Sequence, residues 1–156
     1  MWEQIKALFS NYVLLSTVFG WFIAQFFKMI ITLIRYRTFN LKTMLFSLGG
    51  MPSSHTATVC SLVASSAIMF GFGSFEFAIS FVLAMVVMTD AVGVRRETGE
   101  QAKVLNQILE EMFSGDQQKT DRALKELVGH TPFQVAVGAI VGVGTAIVTA
   151  LILGVL

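Results

Sequence analysis

Charge, cysteine, proline and histidine are all scarce in this chain. Charged residues make up 13% of 156 positions, with two prolines, two histidines and one cysteine. The lone Cys60 excludes an internal disulfide; set among small residues in an apolar segment, it reads as packing. Carboxylates, histidines and cysteine nowhere cluster at metal-ligand spacing, and no glycine-rich loop ends in Lys-Ser or Lys-Thr. A metal enzyme and a nucleotidase are therefore disfavoured, and no cofactor is implied. Eleven basic residues stand against ten acidic ones, with no basic stripe interleaved with aromatics. Nucleic acid is not an expected partner.

What is abundant is apolar. At 54% hydrophobic residues and a mean hydropathy of +0.71, the chain is too apolar for a soluble domain and too short for several, so 1–156 is read as one membrane domain. A hydrocarbon core about 30 Å thick needs roughly 20 helical residues. Runs at Tyr12–Ile34, Ser53–Phe72, Phe75–Val94 and Pro132–Leu156 meet that length, and none alternates like a barrel strand. The expected fold class is all-α, a membrane bundle of about four transmembrane helices. Lys6 precedes an apolar stretch with no cleavage pattern after it, so the first segment is expected to stay as an anchor.

"GFGSFE" is a tight turn, whereas 35–52 and 95–131 are polar connections holding nine of the eleven basic residues. The positive-inside bias puts both in the cytoplasm and the termini outside, in a multi-pass protein of the cell membrane. Within 95–130, a cytoplasmic helical insertion between the third and fourth spans, Val104, Leu105, Ile108, Leu109, Met112 and Phe113 recur at helical spacing. Two amphipathic helices broken near Gly115 are expected, serving as a packed hairpin or as a lid or docking element.

Ionisable groups in apolar helices are costly, so each is a functional candidate. Gln25, Lys28, Thr32 and Arg35 fall on one helical face. Asp90 ends the third span a turn before Arg95 and Arg96. His55 follows "PSS" and His130 precedes "TP", each at the cytoplasmic start of a span. Pro52 suits the first turn of a helix and Ser53 or Ser54 can cap it, leaving amides and the helix dipole for an anion; Thr131 and Pro132 repeat the arrangement. Guanidinium forks, a lysine and two imidazoles able to serve as nucleophile and acid complete a metal-free set for phosphoryl transfer.

These residues resemble the type-2 phosphatidic acid phosphatase and vanadium haloperoxidase superfamily, in a divergent bacterial and plant branch. Lys28 and Arg35 have the spacing of its first motif, with Tyr36 for the proline. Pro52, Ser53, Ser54 and His55 look like its Pro-Ser-Gly-His motif, with serine for glycine. "HTPFQVAVGAIVG" is similar to the end of its third motif, with Gln134 for the aspartate, and Arg96 lies 34 positions before His130 rather than the family's short step. The resemblance implies His130 as nucleophile and His55 as general acid. It also implies Lys28, Arg35 and Arg95 or Arg96 as phosphate clamp, hydrogen bonds from Ser53 and Ser54, and Gln134 or Asp90 as orienting groups.

The reading is a membrane phosphatase acting on a lipid phosphate or polyprenyl pyrophosphate through a phosphohistidine, with its site on the cytoplasmic side and homo-oligomers allowed. Two rivals stand beside it: a non-catalytic lipid-phosphate binding or transport protein, and a structural subunit whose Gly138 and Gly142 form a small-residue interface.

Overall fold

A computed structural model describes residues 1–36, 50–112 and 129–156. Its elements are α1 (Trp2–Phe9), α2 (Tyr12–Tyr36), α3 (Ser54–Phe70), α4 (Phe75–Val92), α5 (Val94–Met112) and α6 (Pro132–Leu153), with no strand among the described residues.

Polar side chains set most of the helix starts. Asn11 Oδ1 accepts from Leu14 N at 3.1 Å ahead of α2. Ser53 caps α3 and Ser74 caps α4. Thr131 and Gln134 form a reciprocal capping box on α6, with Pro132 in its first turn. Each such cap contributes about 1 kcal/mol by giving an orphan amide a partner. Two glycines close helices where the backbone turns left-handed, Gly71 after α3 at φ 84° and Gly154 after α6 at φ 66°. Short α1 carries Trp2, Ile5, Leu8 and Phe9 exposed, the composition of a helix lying in the membrane interface.

Among the described residues, three helices are long and apolar enough to cross a membrane: α2 through Tyr12–Ile34, the run beginning with α4 at Phe75, and α6 through Pro132–Leu153. The second of the four expected spans is shorter than its sequence suggested. α3 has 17 residues, about 25 Å at 1.5 Å per residue. The shortfall has a physical reason: α3 packs against α2, α4 and α6, so protein rather than lipid surrounds much of it. That position also tolerates its serines and threonines. Ser61 Oγ donates to Ser16 O at 2.7 Å, and Thr58 Oγ1 to Ser54 O at 2.7 Å.

Small residues every fourth position bring the helices together. α2 presents Ser16, Gly20 and Ala24; α3 presents Ser53, Ala57, Ser61 and Ser65; α6 presents Gly138, Gly142, Ala146 and Ala150. All are buried. A Cβ on Gly20 would lie 2.9 Å from Ser61 Cβ, one on Gly138 2.6 Å from Ser53 O, and one on Gly142 against the Ala57 carbonyl. With no hydrophobic driving force between helices in lipid, such backbone approach supplies dispersion contacts that larger residues would prevent. Tyr12 adds a long-range tie, its hydroxyl donating to Ala146 O at 3.0 Å. These contacts make α3 and α6 parallel to each other and antiparallel to α2.

Gly142→Ala should therefore destabilise the bundle by about 1–3 kcal/mol through overpacking. Gly144 has nothing within 4 Å of an added Cβ, so Gly144→Ala should be neutral or stabilising by up to about 1 kcal/mol. Denaturant titration of both variants in mixed micelles checks the contrast; equal effects would contradict this packing.

Candidate active site

The site builds up where α3 and α6 begin. Pro52 does not enter the first turn of α3, as the sequence suggested, but precedes the cap. The cap is Ser53, whose Oγ accepts from Thr56 N at 3.4 Å and Thr56 Oγ1 at 3.0 Å. His55 is then the second residue of the helix. Ser53 and Ser54 are buried, and Ser53 N donates to Gln134 O at 3.2 Å, which pins the start of α3 to the first turn of α6.

His130 immediately precedes the α6 cap and is 2% exposed. Its amide donates to Ala91 O at 3.1 Å, so the C-terminal turn of α4 holds its backbone. Its Nδ1 lies 3.3 Å from Gln134 Oε1. Thr131 N donates to that same oxygen at 3.1 Å. An amide N–H can only donate, so the capping box fixes the carbonyl oxygen rather than the amide nitrogen of Gln134 toward the ring. Nδ1 therefore carries the proton, and in the neutral ring Nε2 keeps the lone pair. The His55 and His130 rings lie 6.3 Å apart, centroid to centroid.

Lys28 arrives from α2. Gly20 meets Ser61, and eight residues further along antiparallel α2, roughly 12 Å, Lys28 comes level with Ser53. It is 3% exposed, so it faces inward rather than snorkelling to headgroups. Gly50, at φ +97°, lies over its stem: a Cβ there would sit 3.5 Å from Lys28 Cγ. Gln25 is buried on the same face. Asp90 is half-buried beside Ala91. Arg35 lies in the last turn of α2 and Arg95 and Arg96 in the first turn of α5, while their side chains fall outside the described residues. The first amphipathic helix of the 95–130 insertion is α5; the second, with the break near Gly115, also falls outside them.

Two helix N-termini with their positive dipole ends, a buried lysine and a pair of imidazoles are thus gathered at one end of the bundle, groups of the kind that interact favourably with an oxyanion. Among the described residues no group of three or more potential metal ligands occurs.

A family model described as the divergent PAP2 family matches residues 9–145. The chain belongs to that family. YuiD, an uncharacterized membrane protein of Bacillus subtilis (strain 168), is 35% identical over 153 residues, covering 92% of this chain and 96% of its own. No solved structure matches. With its apolar helices, this divergent PAP2 chain is a multi-pass membrane protein.

Three contributors to the site escaped sequence reading. Ala91 acts through its carbonyl, which no side-chain pattern reports. Thr56 ties the α3 cap from inside the helix. Gly20 was legible in principle, because Ser16, Gly20 and Ala24 form a small-residue stripe that continues directly into Lys28.

Thr131→Val removes the hydroxyl that caps α6 and so loosens the turn that aims Gln134. A cost of about 1 kcal/mol is expected, raising amide exchange at Gln134 about fivefold. Hydrogen exchange followed by mass spectrometry measures it.

Proposed function

We propose that this divergent PAP2 protein hydrolyses a lipid phosphate or pyrophosphate through a phosphohistidine intermediate. The observation that carries the reading is the His55–His130 pair, 6.3 Å apart between ring centroids, at two helix starts level with buried Lys28. Phosphoryl oxygens would lie against the first-turn amides of α3 and α6, with the Lys28 ammonium as counter-charge and Arg35, Arg95 or Arg96 as further clamp residues. Ser54 and the capping Ser53 line the same helix start.

The chemistry follows from the tautomer. His130 Nε2 attacks phosphorus, forming an N–P bond as the P–O bond to the lipid breaks. His55, entering as imidazolium, gives its proton to the leaving oxygen. Water then attacks the phosphohistidine; His55 takes its proton back, the N–P bond breaks, and inorganic phosphate leaves. The Gln134 oxygen holds the His130 ring throughout. It brings no negative charge to the cation that forms on attack, where a carboxylate would.

The same glutamine favours a second reading, a lipid-phosphate binding or carrier protein that keeps the clamp and does not turn over. The structural-subunit reading loses its support, because Gly138 and Gly142 face α3 of their own chain. Purified protein incubated with phosphatidate and with polyprenyl pyrophosphate separates the first two. Phosphate release abolished by both His130→Ala and His55→Ala is expected; vanadate binding without release from any lipid phosphate would favour the carrier. Gln134→Glu keeps the side-chain length and both acceptor contacts and adds the charge, so turnover should rise by about tenfold or more.

The site side of the membrane is read from the basic connections, nine of eleven basic residues, and is cytoplasmic. In a Cys60→Ala background, a cysteine at Gly73 should react with an impermeant thiol reagent on intact cells and one at Glu100 should not. The reverse pattern would place the site on the outer face.

A further inference from the structure

An apolar groove of about 610 Å³ runs between α2 and α6. Phe27, Ile23 and Phe19 form one wall and Ile140, Gly144 and Val148 the other. Thr145 and Thr149 also border it; both are buried, and Thr145 Oγ1 is spent on Val141 O at 2.8 Å. The groove is therefore lined almost wholly by hydrocarbon.

Its position is set by the site. Phe27 immediately precedes Lys28, so one end of the groove lies level with that lysine along α2. Leu15 marks the other end, and the twelve residues between rise about 18 Å. That is close to the depth of one hydrocarbon leaflet, about half of a 30 Å core. Spread over about 18 Å, the volume gives a mean cross-section of about 34 Å². A helix about 10–12 Å across presents a section of at least about 80 Å² and does not fit, whereas a single extended hydrocarbon chain does.

The geometry points to this groove as the seat of one long hydrocarbon chain of a phosphate-headed lipid, with the headgroup at Lys28, His55 and His130. The inference rests on the phosphate-site reading and adds where the lipid tail lies. The tail fills the α2–α6 groove from Phe27 toward Leu15, parallel to the helices. Recognition along it is by dispersion and exclusion from lipid disorder, so chain length rather than chain polarity is selected.

The test uses the full-length protein in phosphatidylcholine vesicles with a phosphatidate bearing a diazirine at the end of one acyl chain. After photolysis, labelling of Leu15, Phe19 and Val148 is expected to exceed that of outward-facing Val82 and Val86 on α4 by about tenfold. Gly144 faces open space, so Gly144→Phe should fill the groove and cut that labelling about tenfold, the equivalent of displacing roughly two methylene groups. Gly144→Leu provides a milder filling where the larger variant fails to fold. Equal labelling of α4 and the groove, or labelling untouched by both fillings, overturns the inference. So does disulfide-linked dimer from an Ile140→Cys, Cys60→Ala variant, which would assign the groove to a second copy. The two readings fail differently. Groove labelling that Lys28→Gln leaves unchanged, and that a diacylglycerol probe reproduces, sinks the phosphate site and keeps a tail groove. Phosphate release without groove labelling sinks the groove and keeps the site.

Discussion

Backbone approach among three helices is the constraint on which the rest depends. α2, α3 and α6 meet largely through glycine, alanine and serine, and at Gly138 and Gly142 even a methyl group would collide with backbone oxygen. In lipid this is the cohesion available, because apolar side chains gain nothing by leaving hydrocarbon for one another. The same stripes carry the candidate chemistry. Ser16, Gly20 and Ala24 lead at four-residue steps to Lys28, and Ala150, Ala146, Gly142 and Gly138 lead back to Gln134 and His130. Lys28 and His130 are thus terminal members of the packing faces, which is why both are buried.

Gln134 links stability and chemistry. One oxygen serves the amide of Thr131 and the ring of His130 together. A helix cap is ordinarily a local matter. Here the cap decides which face of a side-chain amide meets the imidazole, and through it which ring nitrogen is left basic.

Much of this was legible in the sequence. Length and hydropathy gave the helix positions to within a few residues, since the bilayer dictates both. The matched helix-start positions of the two histidines and the shared face of Gln25, Lys28, Thr32 and Arg35 followed from spacing, which left open whether Lys28 turns inward or toward the headgroups; its burial decides that. Three features resisted. Pro52 looks like a first-turn proline, yet Ser53 competes for the cap and wins because its hydroxyl reaches Thr56. The length of α3 depends on neighbours that shield it, which no window of its own residues reveals. The hold on His130 comes from the Ala91 carbonyl, and a backbone acceptor leaves no trace in side-chain identity.

That backbone bond also explains an irregularity in spacing. Ala91 and His130 are 39 positions apart in the chain, yet they touch through N–H and carbonyl at 3.1 Å. The chain between them, which begins with α5, thus starts and ends at one point of the bundle. Closing such a loop costs free energy only as the logarithm of its length, about 0.6 kcal/mol for each doubling. Residues can be added to it or removed from it at little thermodynamic penalty while the histidine stays where it is.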